Sequence, residues 1–377
     1  MNEMTIYDGL EGDLATSDVL GLHRDLVEIP SLSHEEEEAA DFLERYFVLN
    51  GLTPVRMGNN VLVTVDGPSD SNADPRTLLL NSHLDVVPPS ADHPFPAFEP
   101  TLEGGLIYGR GSVDAKGCVA SMASAICRLH ASGSLAPGTR LMGAFTICEE
   151  TGGQDNGLEA ILPDLPRMDA VLVGEPTHMQ PCVAQKGLLI LRLDAKGCSA
   201  HAARASEGDN AISKMVRDLT RLESWTFDRV HPFLGETTHS VTVIEGGTAR
   251  NVIPDRCSSW IDIRSTPSYT HDEIAGMLDE HLESDVVIHS GRFVPTETAF
   301  DSAIVRACLK GHSGSEAFGS PTMSDWIHVK DLPTVKIGPG DSRLSHTAKE
   351  HISARELHDS CALYEAIITA YFQENHV

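Results

Sequence analysis

The stretch Thr77-Leu78-Leu79-Leu80-Asn81 decides the fold class, because it is a short apolar run of the kind that forms a buried strand. Residues 61–65 form a second such run, and the strand-like stretches 141–148 and 170–173 follow further along the chain. A helical spacing of apolar residues at 118–132 separates two of these strands. The alternation predicts an α/β domain in which a mixed β-sheet is flanked by helices.

The pattern of strands and helices changes in the second half of the chain. From residue 187 to residue 289 the order is β-α-β-β-α-β, which is the order of a ferredoxin-like α+β sandwich. The α/β alternation then returns, so we expect the sandwich to be an insertion. We predict one domain from residues 1–182 and 293–377 and an inserted domain from residues 183–292.

The charge of the chain limits its partners. Its 377 residues include 55 acidic residues against 28 Lys and Arg, which gives a net charge of −27. A polyanion or an anionic membrane would be repelled by this charge, so we expect neither nucleic acid nor membrane binding. The acidity fits a cell with high internal salt as well as an ordinary acidic enzyme, and composition leaves both open.

The cysteines and the first residues of the chain indicate in which cellular compartment the protein is expected. The eight Cys form no C-x-x-C pair, which disfavours a zinc ribbon and a disulfide scaffold. Met1-Asn2-Glu3-Met4 lacks a basic region followed by an apolar one, so we expect no secretory signal. The sequence contains no run of the ~18 apolar residues that a membrane span requires. A cytoplasmic protein is therefore expected.

His83-Leu84-Asp85 follows the first quoted strand directly. Residues i and i+2 share a face in an extended chain, so Asp85 can accept a hydrogen bond from one imidazole nitrogen of His83 while the other faces a metal. The tripeptide alone is weak evidence, because a plain polar histidine after a strand is also common.

A glycine-rich segment, Tyr108-Gly109-Arg110-Gly111-Ser112-Val113-Asp114-Ala115-Lys116-Gly117, places Asp114 just before the helix expected at 118–132. The segment fits neither G-x-x-x-x-G-K-[ST] nor G-x-G-x-x-G, so a tight turn is favoured over a nucleotide site. A carboxylate fixed at such a turn is well placed to bridge two cations.

Three more carboxylates and a second histidine follow strands or loops. Cys148-Glu149-Glu150-Thr151-Gly152-Gly153 ends a strand, and its adjacent carboxylates point in different directions, so that one can bind metal while the other moves a proton. Glu175 follows the strand at 170–173, and His346 follows the loop Gly338-Pro339-Gly340. Ligands are expected beyond the carboxyl ends of strands in an open α/β sheet. Together these residues suit Zn²⁺, Co²⁺ or Mn²⁺ in a two-metal centre.

This set, in its order and spacing, resembles the M20 metallopeptidase family, which includes acetylornithine deacetylase, succinyl-diaminopimelate desuccinylase, aminoacylase and carboxypeptidase G. The resemblance covers nearly the whole chain, including the insertion. It implies two divalent metal ions, Zn²⁺ or Co²⁺ with Mn²⁺ as an alternative. The roles it implies are His83 and Glu175 on one metal, Glu150 and His346 on the other, Asp114 as the bridge, Glu149 as general base and acid, and Asp85 as the partner of His83.

The resemblance extends into the inserted domain. Gly197-Cys198-Ser199-Ala200-His201-Ala202 is similar to the family segment G-x-x-x-H-[SA]. In the family this histidine stabilises the oxyanion, usually in the active site of a partner subunit, and members pair through this domain. The resemblance therefore implies a catalytic role for His201, a homodimer, and a lid or dimerisation function for the insertion.

Two further segments resemble the part of the family that binds a substrate carboxylate. They are Gly246-Gly247-Thr248-Ala249-Arg250-Asn251 and Asp262-Ile263-Arg264, with Asn251 and Arg264 as the expected contacts. An arginine fork suits a carboxylate bidentately. The alternative is that Arg264 is a strand residue that pairs with Asp262 or Asp255.

The loops around Asp325 and after Gly338 are similar to those of the acetylornithine deacetylase branch. This resemblance implies hydrolysis of N-acetylornithine, a small N-acyl amino acid, to ornithine and acetate in arginine biosynthesis, with Asp325 attracting the distal ammonium. Alternatively, Ser324 and Asp325 cap a helix that enters at Trp326.

Other substrates of the same family stay open. Glu175, where aminopeptidase-like members have Asp, favours a deacylase or carboxypeptidase. The remaining alternatives are a succinyl-diaminopimelate or succinylornithine desuccinylase and an M20 dipeptidase or carboxypeptidase. A relative that only binds or regulates is disfavoured, because such relatives typically lose ligands and every expected position here is filled.

Overall fold

A computed structural model describes residues 18–69, 73–153 and 155–374. The expected absence of a secretory signal at Met1–Met4, and the first 17 residues of the predicted catalytic domain, fall outside the described residues. The chain forms two compact units. The first unit runs to Val183 and also contains Thr298–Phe318 and the chain from Ser324, and the second contains Ala184–Glu297 and Gly319–Met323.

The helices begin and end close to the positions that apolar spacing predicts. Among the described residues, no helix combines the length and the apolarity that crossing a bilayer requires. The α-helices are α1 (Val19–Glu28), α2 (Glu37–Leu49), α3 (Lys116–Ser132), α4 (Gly157–Ile161), α5 (Ala211–Glu223), α6 (His271–His281), α7 (Ala303–Gly311) and α8 (Ala354–Gln373).

The strands include several short ones that sequence patterns do not reveal. They are β1 (Val55–Met57), β2 (Asn60–Asp66), β3 (Arg76–His83), β4 (Thr101–Glu103), β5 (Leu106–Tyr108), β6 (Thr139–Thr146), β7 (Ala170–Val173), β8 (Cys182–Gln185), β9 (Gly187–Lys196), β10 (Ala200–His201), β11 (Thr238–Gly246), β12 (Val252–Ile253), β13 (Arg256–Ser265), β14 (Asp285–Phe293), β15 (Thr296–Glu297), β16 (Phe318–Ser320), β17 (Thr334–Lys336) and β18 (His351–Ser353).

The first unit is built on a mixed sheet with the order β1-β2-β6-β3-β7-β17-β8. Strand β3 runs parallel to β6 and to β7, whereas β2 is antiparallel to β6. Helix α8 packs against α3 and α7, and α2 packs against β2. The predicted fold class, a mixed sheet flanked by helices, is confirmed.

Strand β3 lies at the centre of this sheet. Apart from Arg76 its residues are all buried, as expected for a strand with parallel neighbours on both sides. Its register sets His83 beside Thr146 of β6 and Asn81 beside Val173 of β7. The chain segments that leave β3, β6 and β7 therefore start at one edge of the sheet.

The strand predicted at 141–148 is shifted in the structure. Strand β6 ends at Thr146, and Cys148 adopts a left-handed conformation with φ 57°. A left-handed residue cannot continue a strand, so Cys148, Glu149 and Glu150 form a turn beyond the sheet.

The second unit has the ferredoxin-like arrangement. Its antiparallel sheet has the order β11-β13-β9-β14, and helices α5 and α6 pack on it. Leu189, Leu191 and Leu193 of β9 are buried in its core, while the residues between them are more exposed. This alternation is that of a sheet with one covered face.

The borders of the second unit differ from the predicted insertion at 183–292. Thr296 and Glu297 of β15 pair with Gln185 and Ala184. The backbone N–H of Lys186 donates to the carbonyl of Ser320. These backbone hydrogen bonds attach the segments after residue 292 to the second unit, and short pairings of this kind leave no pattern in the sequence.

Candidate metal centre

His83, the last residue of β3, is only 2% exposed. Its Nδ1 lies 2.9 Å from the backbone carbonyl of Asp85, and since a carbonyl only accepts, Nδ1 carries the proton. Nε2, the other ring nitrogen and the one left to bind a metal, faces Asp114 Oδ1 at 3.2 Å and Glu175 Oε1 at 4.0 Å. This is the tautomer that a metal-binding histidine requires.

The carboxylate of Asp85 has a different main contact from the one expected. Its nearest oxygen is 3.4 Å from His83 Nδ1, farther than the Asp85 carbonyl. It accepts hydrogen bonds from the backbone N–H groups of Glu149 and Glu150, each at 3.1 Å, and from the Ser33 hydroxyl at 2.8 Å. Asp85 thus holds the turn that carries both glutamates.

Asp114 lies between the two predicted histidine ligands. Its Oδ1 is 3.2 Å from His83 Nε2, and its Oδ2 is 3.6 Å from His346 Nε2. His346 Nε2 is also 2.9 Å from a carboxylate oxygen of Glu150. The two oxygens of one carboxylate thus face two imidazoles, which is the placement a bridging ligand requires.

The charges at this edge of the sheet fit divalent cations. Burial, the largest effect, and the nearby Asp114 raise the pKa of Glu175 to about 8. Burial, again the largest effect, raises the pKa of Glu149 well above its ordinary range; the nearby His83 opposes this rise, and repulsion from Glu175 adds to it. Carboxylates that repel one another in a buried cluster are stabilised in the charged form by a metal ion.

The ligand atoms are close enough to share cations. Those of His83, Glu149 and Glu175 lie within 4.8 Å of one another. Those of His83, Asp114 and Glu150 do so as well. The residues present therefore fit a centre made of hard and borderline ligands, as predicted from their types.

Sequence patterns did not indicate Glu350, which supports the bridge. Its carboxylate is 1% exposed and accepts the backbone N–H groups of Val113 and Asp114 at 3.1 and 3.2 Å. The buried Arg110 guanidinium donates to its second oxygen. Arg110 lies within the glycine-rich segment, and a buried arginine requires a carboxylate partner, but its burial is known only from the structure, so the sequence held no signal for Glu350.

Asp325, expected at a substrate ammonium, is 2% exposed. It accepts hydrogen bonds from Asn156 Nδ2 at 2.6 Å and from the Thr146 hydroxyl at 3.3 Å. The hydroxyl of Ser324 accepts the backbone N–H of Trp326 at 3.4 Å, at the start of a 3₁₀ turn. The geometry thus matches the capping alternative for Ser324 and gives the Asp325 carboxylate partners within the protein.

His201 and Asn251, two of the predicted residues of the second unit, lie on its surface. His201 is exposed, and its Nδ1 accepts the backbone N–H of Ala203 at 3.1 Å. Neutral imidazole has one donor and one acceptor, so the proton is on Nε2, which leaves this N–H able to donate. Asn251 is exposed, and its backbone carbonyl accepts the N–H of Ala202 at 2.9 Å.

Arg264 is half-buried on β13. Its guanidinium donates to both carboxylate oxygens of Asp262, at 2.8 and 3.2 Å. This is the pairing of the structural alternative, although an arginine has further N–H groups that can bind a substrate.

Comparisons with known proteins agree with these features. The family model described as peptidase family M20/M25/M40 matches residues 79–370. The chain is 29% identical to a protein of Talaromyces marneffei named "Probable carboxypeptidase", over 98% of this chain and 89% of the relative. It is 27% identical to succinyl-diaminopimelate desuccinylase 2 of a Ruegeria species, over 94% and 95% of the two chains.

Solved structures share the fold. Aminopeptidase PepT from Bacillus cereus matches 95% of this chain and all of its own, with a TM-score of 0.73 and 20% identity. A Bacillus subtilis protein described as a dinuclear metal binding peptidase matches 93% of this chain and 96% of its own, with a TM-score of 0.72 and 14% identity. Because the family model spans most of the sequence, the chain belongs to peptidase family M20/M25/M40 and is a metallo-hydrolase, as its motifs indicated.

Proposed function

We propose that this protein is a two-metal amidohydrolase that removes an acyl group from an N-acyl amino acid, with N-acetylornithine as the first candidate substrate. The observation that carries the proposal is the placement of Asp114 between His83 and His346, with Glu149 beside them. Zn²⁺, Co²⁺ or Mn²⁺ bound by His83, Asp114, Glu150, Glu175 and His346 would polarise the scissile carbonyl and acidify a water molecule.

Glu149 is the residue that moves protons in this proposal. Its carboxylate accepts a proton from water as the water oxygen attacks the carbonyl carbon, and it then donates that proton to the leaving nitrogen as the C–N bond breaks. The products are a carboxylate and a free amine. Asp85 orients Glu149 by accepting its backbone N–H at 3.1 Å.

We infer that the second unit completes the site. The Nε2–H of His201 donates to the developing oxyanion, and Arg264 with Asn251 binds the substrate carboxylate. A homodimer formed through the second unit would bring His201 to the partner's metal centre. We also propose a cytoplasmic location, which the scattered spacing of the cysteines in the sequence favours.

The second candidate activity is that of a carboxypeptidase. The relatives at 26–29% identity include several proteins named as probable carboxypeptidases. Both reactions break an amide bond next to a free carboxylate, so the same residues serve either. A desuccinylase for diaminopimelate or ornithine is the third candidate, supported by the relative from Ruegeria.

A substrate panel separates these candidates. Purified protein loaded with Zn²⁺ or Co²⁺ is assayed with N-acetylornithine, N-succinylornithine, succinyl-diaminopimelate and blocked and unblocked peptides, with and without a chelator, at low and high KCl. Chelator-sensitive cleavage of N-acetylornithine supports the proposal. Cleavage of peptides alone identifies a carboxypeptidase, and no cleavage of any compound contradicts amidohydrolase function.

Glu149→Ala tests the assigned role. We expect turnover to fall by about 10²- to 10⁴-fold, because a general base is lost, while metal content stays at the wild-type value. Glu38→Ala, which removes an exposed carboxylate from α2, is the control and should leave both unchanged. Wild-type turnover by metal-loaded Glu149→Ala would remove Glu149 from the mechanism.

A further inference from the structure

Glu36 is a fully buried carboxylate that no role assigned above uses. The run Glu35–Glu38 looks like an acidic helix start, yet within it only Glu36 is buried, with 0% exposure. Three- and four-residue spacing places position 36 on the same face of α2 as the buried Ala39, Ala40 and Leu43. The helical pattern itself therefore directs one carboxylate of the run into the protein.

The contacts of Glu36 lead to the turn after β6. Its Oε1 accepts the backbone N–H of Cys148 at 3.2 Å and lies 3.3 Å from the Cys148 thiol. The same oxygen accepts the backbone N–H of His34 at 2.9 Å. Glu36 occupies the N-cap position of α2 but makes no capping hydrogen bond, so its carboxylate serves this turn instead of the helix.

Two buried carboxylates together hold three consecutive backbone N–H groups. Glu36 accepts that of Cys148, and Asp85 accepts those of Glu149 and Glu150. Cys148 and His34, which touch at 3.4 Å between Sγ and Nδ1, both have positive φ, at 57° and 74°. Non-glycine residues keep such strained conformations only when the surroundings enforce them.

We propose that Glu36 is a positioning residue that fixes Glu149 through the backbone of Cys148. The inference rests on the proposed amidohydrolase function, in which Glu149 moves the proton. A displacement of a reacting group by about 1 Å can cost 10²-fold in rate, so the hydrogen bond one residue before Glu149 matters for catalysis. What Glu36 supplies is an acceptor atom at Oε1, since Oε2 has no hydrogen-bond partner among the described residues.

Four substitutions test this role. Glu36→Met keeps the size and removes the acceptor, whereas Glu36→Gln keeps one oxygen for the same N–H groups. Glu36→Asp keeps the charge and withdraws the acceptor by one methylene. Glu37→Met makes the matched change at the exposed neighbouring residue.

We expect Glu36→Met to lower kcat by about 10- to 100-fold, the usual cost of losing an outer partner of a metal site, with KM and metal content unchanged. Glu36→Asp should also lose kcat, while Glu36→Gln and Glu37→Met retain it. Leu43→Ala, which destabilises the same helix by removing a buried side chain, should lower the melting temperature without lowering kcat.

Wild-type kcat in Glu36→Met, or a loss in Glu36→Gln as large as in Glu36→Met, would overturn the proposal. If Glu36→Met does not fold, the comparison of Glu36→Asp with Glu36→Gln decides in the same way. If the wild-type protein hydrolyses nothing, the proposed function fails on its own. Amide hydrogen exchange at residues 148–150 then tests the positioning: faster exchange in Glu36→Asp than in Glu36→Gln supports it, and equal exchange rejects it.

Discussion

The two units hold their candidate residues in different ways. In the first unit His83 is 2% exposed, and its two ring nitrogens face the Asp85 carbonyl and the Asp114 carboxylate. In the second unit the His201 side chain is exposed and has one hydrogen bond, accepted from the backbone N–H of Ala203. Strand register and burial thus define the first site from many directions, whereas a two-residue strand and one side-chain hydrogen bond define the position of His201.

The largest effect is expected at the centre of the first unit. Asp114→Asn keeps the shape of the side chain but removes the charge that faces both His83 and His346. We expect metal content to fall, and kcat/KM to fall by more than the roughly 10- to 100-fold that outer partners cost. The measurements are the metal content per chain and the rate of substrate hydrolysis.

The exposed Asp164 is the control for this change, and Asp164→Asn should alter neither quantity. Full metal content and full activity in Asp114→Asn would show that the convergence of side chains in the first unit does not form the metal centre.

A smaller effect is expected in the second unit. His201→Ala removes an N–H donor and should lower kcat by about 10²- to 10³-fold, the cost of one oxyanion donor. Metal content and melting temperature should not change, because the His201 side chain is exposed and makes one hydrogen bond. His201→Asn, which still offers an N–H, should recover part of the rate.

The exposed His281 on α6 provides the comparison for this test, and His281→Ala should have the wild-type kcat. If kcat of His201→Ala equals that of His281→Ala, His201 has no catalytic role.

The smallest effect concerns a buried histidine of the first unit. His23 donates from Nε2 to the Ser112 carbonyl at 2.9 Å, and burial lowers its pKa from 6.5 to about 4. As pH falls below 6.5, the unfolded chain takes up this proton before the folded chain does, so stability falls. Between pH 7 and pH 5 the loss is about 2 kcal/mol.

His23→Gln can keep the donor to Ser112 but cannot titrate, so its free energy of unfolding should depend less on pH over this range. Urea titrations at several pH values measure the difference. His281→Gln, at an exposed histidine of the second unit, should keep the wild-type dependence. If the free energy of unfolding depends on pH equally in the wild type and in His23→Gln, His23 does not contribute to the loss of stability in acid.

The spacing of apolar residues was sufficient to predict the main helices and strands of both units. It was insufficient to predict the turns that carry the candidate catalytic residues. The strand predicted at 141–148 ends at Thr146, because Cys148 takes a left-handed conformation; Glu36 binds the N–H of Cys148, and Asp85 binds those of the next two residues. Both of those partners are distant in the chain, so no local pattern shows where β6 ends. The roles assigned to the individual site residues stay predictions that the variants above test.

Sequence alone determined the α/β class, the inserted β-α-β-β-α-β unit and the family, because these depend on local apolar spacing and on the types and order of His, Asp and Glu. Tertiary structure alone decided that Nε2 of His83 faces Asp114, that Asp325 is bonded to Asn156, and which glutamate of Glu35–Glu38 is buried. The physical reason is that hydrogen-bond partners and burial come from segments far apart in the chain, which only the folded sheet brings together.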